Sequence, residues 1–133
     1  MVEHWKSVEA RVAHVTRLIL EGDDESKIQG VIEIRKILGA HTLDKEAELI
    51  INSGVVPILI QIADGCHPTA KAEALWALVN LSAGASSHVG ILLGFGFFNT
   101  CRNAIKDTNA TIQEHGLWAI GNLAGSRNFV ESQ

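Results

Sequence analysis

The sequence predicts an all-α fold, a solenoid of stacked helical repeats. Three observations predict it. First, Ala74-Leu75-Trp76-Ala77-Leu78-Val79-Asn80-Leu81 returns as Gly116-Leu117-Trp118-Ala119-Ile120-Gly121-Asn122-Leu123, an offset of 42 residues. Gly54 maps onto Gly96 and Thr69 onto Thr111 at the same offset. Periods of about 40–47 residues belong to two- and three-helix solenoids. Second, helix-length apolar segments alternate with short breaks rich in Gly, Asn and Asp. Third, the chain has only 2 prolines, which leaves long stretches free to be helical.

The elements follow in order. Val12 to Leu20 reads as a helix, broken by Gly22 to Ser26, and Lys27 to Leu38 follows. Asp44 to Ile51 is a short helix stopped by Asn52-Ser53-Gly54, since glycine readily takes the left-handed conformation that ends a helix. Val55 to Ala63 comes next, and Pro57 sits in its first turn, where a missing N–H costs little. Asp64 to Pro68 is a break, and Thr69 or its neighbour caps a helix through Ser82. Leu75, Leu78, Val79 and Ser82 form a stripe for packing on neighbouring helices. The pattern repeats with Ser86 to Leu93, Gly96 to Lys106 and Thr111 to Ala124. One period back, Ile34 falls opposite Trp76 and Leu38 opposite Asn80, so the first copy keeps the apolar frame without the Trp–Asn pair. The domain reading is one repeat region over 1–133: a partial unit at about 11–21, units at about 22–64 and 65–107, and a partial unit at about 108–133.

Composition narrows the function. The chain has 133 residues, 47% hydrophobic and 20% charged, with a formal net charge of −4. Duplex nucleic-acid binders usually carry a basic patch or stripe, and none is visible. Cys66 and Cys101 are too few for a disulfide framework and read as reduced, mostly buried thiols. The N-terminus lacks the pattern of a signal peptide. No stretch approaches the ~20 apolar residues of a membrane span. The six histidines are scattered, and most read as solvated or half-buried surface residues. Neither a metal-ligand spacing nor a glycine-rich phosphate loop is present. An enzyme is therefore not expected, and no cofactor or metal is implied.

The strings Arg35-Lys36-Ile37-Leu38, Asn52 to Pro57, Ala74 to Gly84 and Ile112 to Gly125 resemble the armadillo repeats of the importin alpha family, from about Arg11 to Glu131. That resemblance implies three-helix units in a right-handed superhelix whose third helices line a concave groove. It implies binding of nuclear localisation signals, extended Lys/Arg-rich cargo peptides, and residence in cytoplasm and nucleus. The peptide-binding residues it implies are Trp76, Asn80, Gly84, His115, Trp118, Asn122 and Ser126. Trp76 and Asn80 stand four apart on one helix and share a face, as do Trp118 and Asn122. Ring faces attract cationic heads by roughly 0.5–2 kcal/mol each. Asparagine amides offer one acceptor and two donors to a peptide backbone. The asparagines have an alternative role, bracing the stack through bonds to neighbouring backbone.

Departures weaken the implied lysine pocket. Ser126 stands where the family usually has aspartate, Val89 near the family's threonine, and His115 for a groove glutamine. Gly84 matches the family's small residue. Gly94-Phe95-Gly96-Phe97-Phe98-Asn99 replaces the family's usual join, with Asn99 where proline is expected, so a local adjustment is expected. Trp5 lies outside the frame and reads as a packing or capping residue. The family's basic importin beta-binding segment is not seen, so direct importin beta binding is not expected. Self-association through open solenoid ends is a further expectation. The rival reading is a generic armadillo protein-binding scaffold, or a truncated transport-adaptor fragment with weak or no cargo binding.

Overall fold

The computed structural model describes residues 7–39 and 44–126; Trp5 lies outside them. Eight helices run in order among the described residues: α1 Val8–Glu21, α2 Asp24–Gly39, α3 Asp44–Asn52, α4 Val56–Ala63, α5 Pro68–Ser82, α6 Ser86–Gly94, α7 Phe97–Ile105 and α8 Ala110–Ala124. Corresponding helices in the last two triplets, α3 with α6 and α5 with α8, begin and end 42 residues apart. The fold is the all-α helical-repeat solenoid that the period predicts.

Local chemistry sets the helix ends. Ser7 Oγ accepts from the Ala10 amide at 3.1 Å and starts α1. Asp23 Oδ1 accepts from the Ser26 amide at 2.8 Å, and this N–H holds the Asp23 carboxyl below its usual range. The break after α1 is therefore only Gly22 and Asp23, and Asp24 to Ser26 belong to α2 rather than to a loop. Thr69 is not the cap of α5. His67 Nδ1 accepts from the Ala70 amide at 3.1 Å, and Pro68 takes the first helical position. Asn109 Oδ1 accepts from the amides of Thr111 and Ile112 and caps α8. Gly54 and Gly96 hold φ of +89° and +90°, the left-handed region that glycine enters without Cβ strain.

The helices pack in two layers with connectors. α2, α5 and α8 lie side by side, with α5 between the other two. α1, α4 and α7 back them, each against its own partner. α3 touches α1 and α2, and α6 bridges α5 and α7. The core is continuous and includes Ile19, Ile34, Ile50, Leu59, Leu75, Leu78, Leu92, Phe97 and Leu123, all fully buried. Each such side chain contributes about 1.5–3 kcal/mol relative to exposure. The stripe Leu75, Leu78, Val79 and Ser82 is buried throughout. Phe97 is absorbed entirely into the core, whereas Phe95 is half exposed and Asn99 sits at the surface.

Ion pairs cross between layers. Arg11 meets Glu33 at 2.8 Å between α1 and α2. Lys71 meets Asp107 at 3.0 Å, tying α5 to the turn before α8. One sequence expectation is corrected. Cys101 is buried, and burial pushes its thiol pKa up to about 12, but Cys66 is exposed in the α4–α5 turn. Among the described histidines, His14 and His67 are exposed, whereas His88 and His115 are buried, the latter against the Trp76 ring. No single helix among the described residues is long and apolar enough to cross a membrane.

Candidate functional site

The three inner helices present one continuous face, and its side chains form a ladder. Arg35 on α2 donates from Nε to Glu73 Oε2 at 2.7 Å and from Nη2 to Glu73 Oε1 at 3.3 Å. Its guanidinium lies over the Trp76 ring, 4.3 Å from the centroid. The Trp76 ring in turn meets the His115 imidazole on α8, with centroids 5.6 Å apart and planes inclined by 33°. Glu73 and Trp76 are three apart, so one turn of α5 presents both to Arg35. Carboxylate hydrogen bonding raises the Arg35 pKa and keeps the cation charged.

This geometry corrects the first repeat's register. Ile34 is fully buried, so it does not take the place of a groove tryptophan. Arg35, one residue later, reaches Glu73 and Trp76 on the next inner helix as Trp76 reaches His115 on α8. The interval from α2 to α5 is thus one residue shorter than the 42 that relates α5 to α8.

The structure sorts the sequence-predicted residues into three settings. Trp118 is 58% exposed and Trp76 37%, both unusually open for large aromatic rings. His115 is buried beneath Trp76, and its Nδ1 has no partner among the described residues. Burial pushes the His115 pKa down, against the opposing pull of Glu114 and Glu73. Asn122 braces the stack: its Nδ2 donates to Val79 O at 3.2 Å and to Ser82 Oγ at 3.1 Å on α5. Its counterpart Asn80 has a buried Nδ2 without a partner among the described residues.

Gly84, Asn122 and Ser126 come together with Ser82 and Val89 around a cleft of about 310 Å³ where α5, α6 and α8 meet. Val89 is buried and offers no polar atom there. Ser126 is buried, and its Oγ has no partner among the described residues. The sequence reading missed Arg35 and Glu73, although Glu73 and Trp76 at helical spacing were a usable signal. It also missed Ser82, whose hydroxyl donates to Val79 O at 2.6 Å while accepting from Asn122. Among the described residues, no three His, Cys, Asp or Glu side chains cluster closely enough to hold a metal ion.

Comparison with known proteins agrees with this architecture. A model of the armadillo/beta-catenin-like repeat matches residues 44–83, the span of α3 to α5. The chain is similar to importin subunit alpha-1b of Oryza sativa subsp. japonica, 24% identical over 129 residues, which covers 94% of this chain and 24% of that protein. It is 25% identical to importin subunit alpha-5 of Arabidopsis thaliana, covering 90% of this chain and 24% of that protein. Probable importin subunit alpha-A of Dictyostelium discoideum is 24% identical, with coverage of 94% and 24%. The chain spans about a quarter of the length of the curated relatives it matches. Among solved structures, a designed armadillo repeat protein in complex with the peptide (KR)4 superposes with a TM-score of 0.84 at 21% identity, covering 94% of this chain and 52% of that one. Computationally designed armadillo repeat proteins for modular peptide recognition give 0.83 at 19% identity, with the same coverage. The fold is an armadillo-repeat solenoid, a non-catalytic scaffold architecture, homologous at low identity to importin alpha proteins.

Proposed function

We propose that this chain is a protein-binding scaffold that seats one extended segment of another polypeptide along its inner face. The observation that carries this reading is the exposure of Trp118 and Trp76 on adjacent inner helices, beside a solvent-open cleft. Large exposed aromatics supply much binding energy from little area, and a few such residues dominate many interfaces. The neighbouring groups fix the seat: Asn122 is locked to α5, and His115 supports Trp76 from below.

A second, narrower reading is that the segment is Lys/Arg-rich cargo in nuclear import, handled in cytoplasm and nucleus. Two observations favour it. The relatives are importin alpha subunits, and a solved neighbour was captured with (KR)4. The chain's own Arg35 already covers the Trp76 ring, so a cargo cation would stack on Trp118, the more open of the two rings. Ser126 and Val89 lower the affinity expected for lysine, since neither supplies a negative charge. A charge-assisted hydrogen bond of this kind is commonly worth about 1.5–3 kcal/mol.

The test is a titration of a fluorescent peptide with a Pro-Lys-Lys-Lys-Arg-Lys core, beside a neutral peptide of equal length, into wild type and Trp118→Ala. Salt-sensitive binding of the basic peptide alone, lost in the variant, supports the import reading. Comparable binding of both peptides, weakened in the variant, supports the general scaffold. Binding of neither by the folded chain removes both.

A further inference from the structure

We propose that Arg35 is a specificity-determining residue of the inner face: pinned by Glu73, it fills the cation seat at Trp76 from within. The groove then reads one basic side chain, at Trp118, and not two. The proposal rests on the groove reading above and names what one position within it refuses.

Two attractions draw a cation to such a seat, a ring face and a nearby carboxylate. At Trp76 both are engaged inside the chain. The Arg35 guanidinium carbon lies 4.3 Å from the Trp76 centroid. Both carboxylate oxygens of Glu73 accept from Arg35, Oε2 from Nε at 2.7 Å and Oε1 from Nη2 at 3.3 Å. Trp76 also meets His115, with centroids 5.6 Å apart. Arg35 comes from α2 and His115 from α8, and α5 lies between those helices. An internal guanidinium loses no association entropy, whereas a guest does. A peptide arginine must therefore offer more than Arg35 does in order to displace it.

The next rung of the ladder lacks this arrangement. Each rung packs against the residue three before the following rung, Arg35 on Glu73 and Trp76 on His115. His115 stands 42 residues after Glu73, so the carboxylate that anchors Arg35 recurs as an imidazole. Burial lowers the His115 pKa and keeps the ring uncharged at neutral pH. Among the described residues no cation lies over the Trp118 ring, which is 58% exposed. Glu114 is exposed too, and at four residues from Trp118 it shares that face of α8. Trp118 keeps the ring face and the carboxylate that Trp76 has committed to Arg35.

The experiment uses the whole chain as wild type, Arg35→Gln and Lys36→Gln, with two probes. The first is a fluorescent peptide with a Pro-Lys-Lys-Lys-Arg-Lys core, each basic residue replaced in turn by alanine. In wild type one position should matter, its replacement weakening binding about tenfold. In Arg35→Gln a second position should become sensitive. Lys36→Gln removes the same charge one residue away and should leave a single sensitive position. The second probe is N-acetylarginine amide at high millimolar concentration, beside N-acetylglutamine amide, followed by the indole N–H signals. With the arginine compound Trp118 should shift in every protein, and Trp76 only in Arg35→Gln. Circular dichroism shows whether Arg35→Gln is folded, and the wild-type readouts from both probes carry the test if it is not. Two sensitive positions in wild type, or a Trp76 indole that responds while Arg35 is present, overturn the proposal and leave the groove standing. So does a folded Arg35→Gln that reads one position, or a Lys36→Gln that gains the second. The expected indole pattern without peptide binding supports the proposal and removes the groove reading. Silence from both probes overturns the two together.

Discussion

Arg35 lies over Trp76, its guanidinium carbon 4.3 Å from the ring centroid, while its Nε and Nη2 donate to the carboxylate of Glu73. The two side chains join α2 to α5 at the groove surface. Both are partly shielded, with side-chain exposures of 21% for Arg35 and 19% for Glu73. Removing the fork in Arg35→Ala should cost about 1–3 kcal/mol, measured by urea denaturation. Arg35→Lys should recover only part of the loss, because an ammonium cannot make the same planar, two-pronged contact. Equal stability of wild type and Arg35→Ala would show that the ladder is ornamental.

Asn122 holds α8 against α5 through two bonds from one nitrogen. Asn122→Ala should destabilise by about 1–2 kcal/mol. Asn122→Asp should be worse at neutral pH, since a carboxylate would then face the Val79 carbonyl oxygen. In a double-mutant cycle with Ser82→Ala, the two losses should be non-additive. Additive losses would place the stabilisation elsewhere.

Opposite effects are expected from one substitution at two glycines of α8. A Cβ on Gly116 would lie 2.9 Å from Ala104 Cβ and 3.1 Å from Ile105 N, so Gly116→Ala forces α7 and α8 apart. The cost should be about 1–3 kcal/mol. A Cβ on Gly121 meets nothing within 4 Å, and alanine favours helix interiors over glycine. Gly121→Ala should gain about 0.5–1 kcal/mol in thermal or urea unfolding.

Acid should weaken the fold through His115. Burial lowers its pKa below the ordinary 6.5, so the unfolded chain binds its proton more readily than the folded one. The stability from this residue is complete above pH 6.5 and is lost as pH falls through the lowered value. His115→Gln, compared with wild type by urea unfolding between neutral pH and pH 5, should flatten that part of the profile. An unchanged profile would contradict the assignment.

The outer face of α8 should be adhesive. Leu117 is 60% exposed, although Leu75, its counterpart 42 residues earlier, is fully buried. Leu117 therefore repeats a position that is covered on α5, beside a tryptophan that is open on both helices. Analytical ultracentrifugation of the chain should show self-association at high micromolar concentration, reduced in Leu117→Glu. A monomer at all concentrations would contradict this.

The helical frame was readable because residues that pack on both sides must recur with the repeat. The Trp–Asn strings and the stripe through Leu75, Leu78 and Ser82 carried it. The register of the first copy was not readable. Ile34-Arg35-Lys36-Ile37-Leu38 can slide by one residue against the later copies and still present an apolar frame, and only the packed helices choose Arg35. The α5 cap escaped notice because histidine is not a preferred capping residue. His115 was recognisable as a groove position, but its burial depends on the Trp76 ring, which belongs to another helix. The neutrality of the cleft was legible at Ser126 and Val89. The atoms that Asn122 braces, Val79 O and Ser82 Oγ, are chosen only by the packing of α8 on α5.

The central claim, an extended peptide seated on the inner face, is tested most directly by a spin-labelled peptide. A Lys/Arg-rich peptide with a nitroxide at its centre would be added to ¹⁵N-labelled chain. The account predicts selective broadening of the indole N–H signals of Trp76 and Trp118 and of the amides of Gly84 and Gly125. Signals from α4 and α7 on the outer layer should stay sharp. Broadening centred on the outer layer, or confined to the exposed Leu117 face without the Trp76 indole, would contradict it.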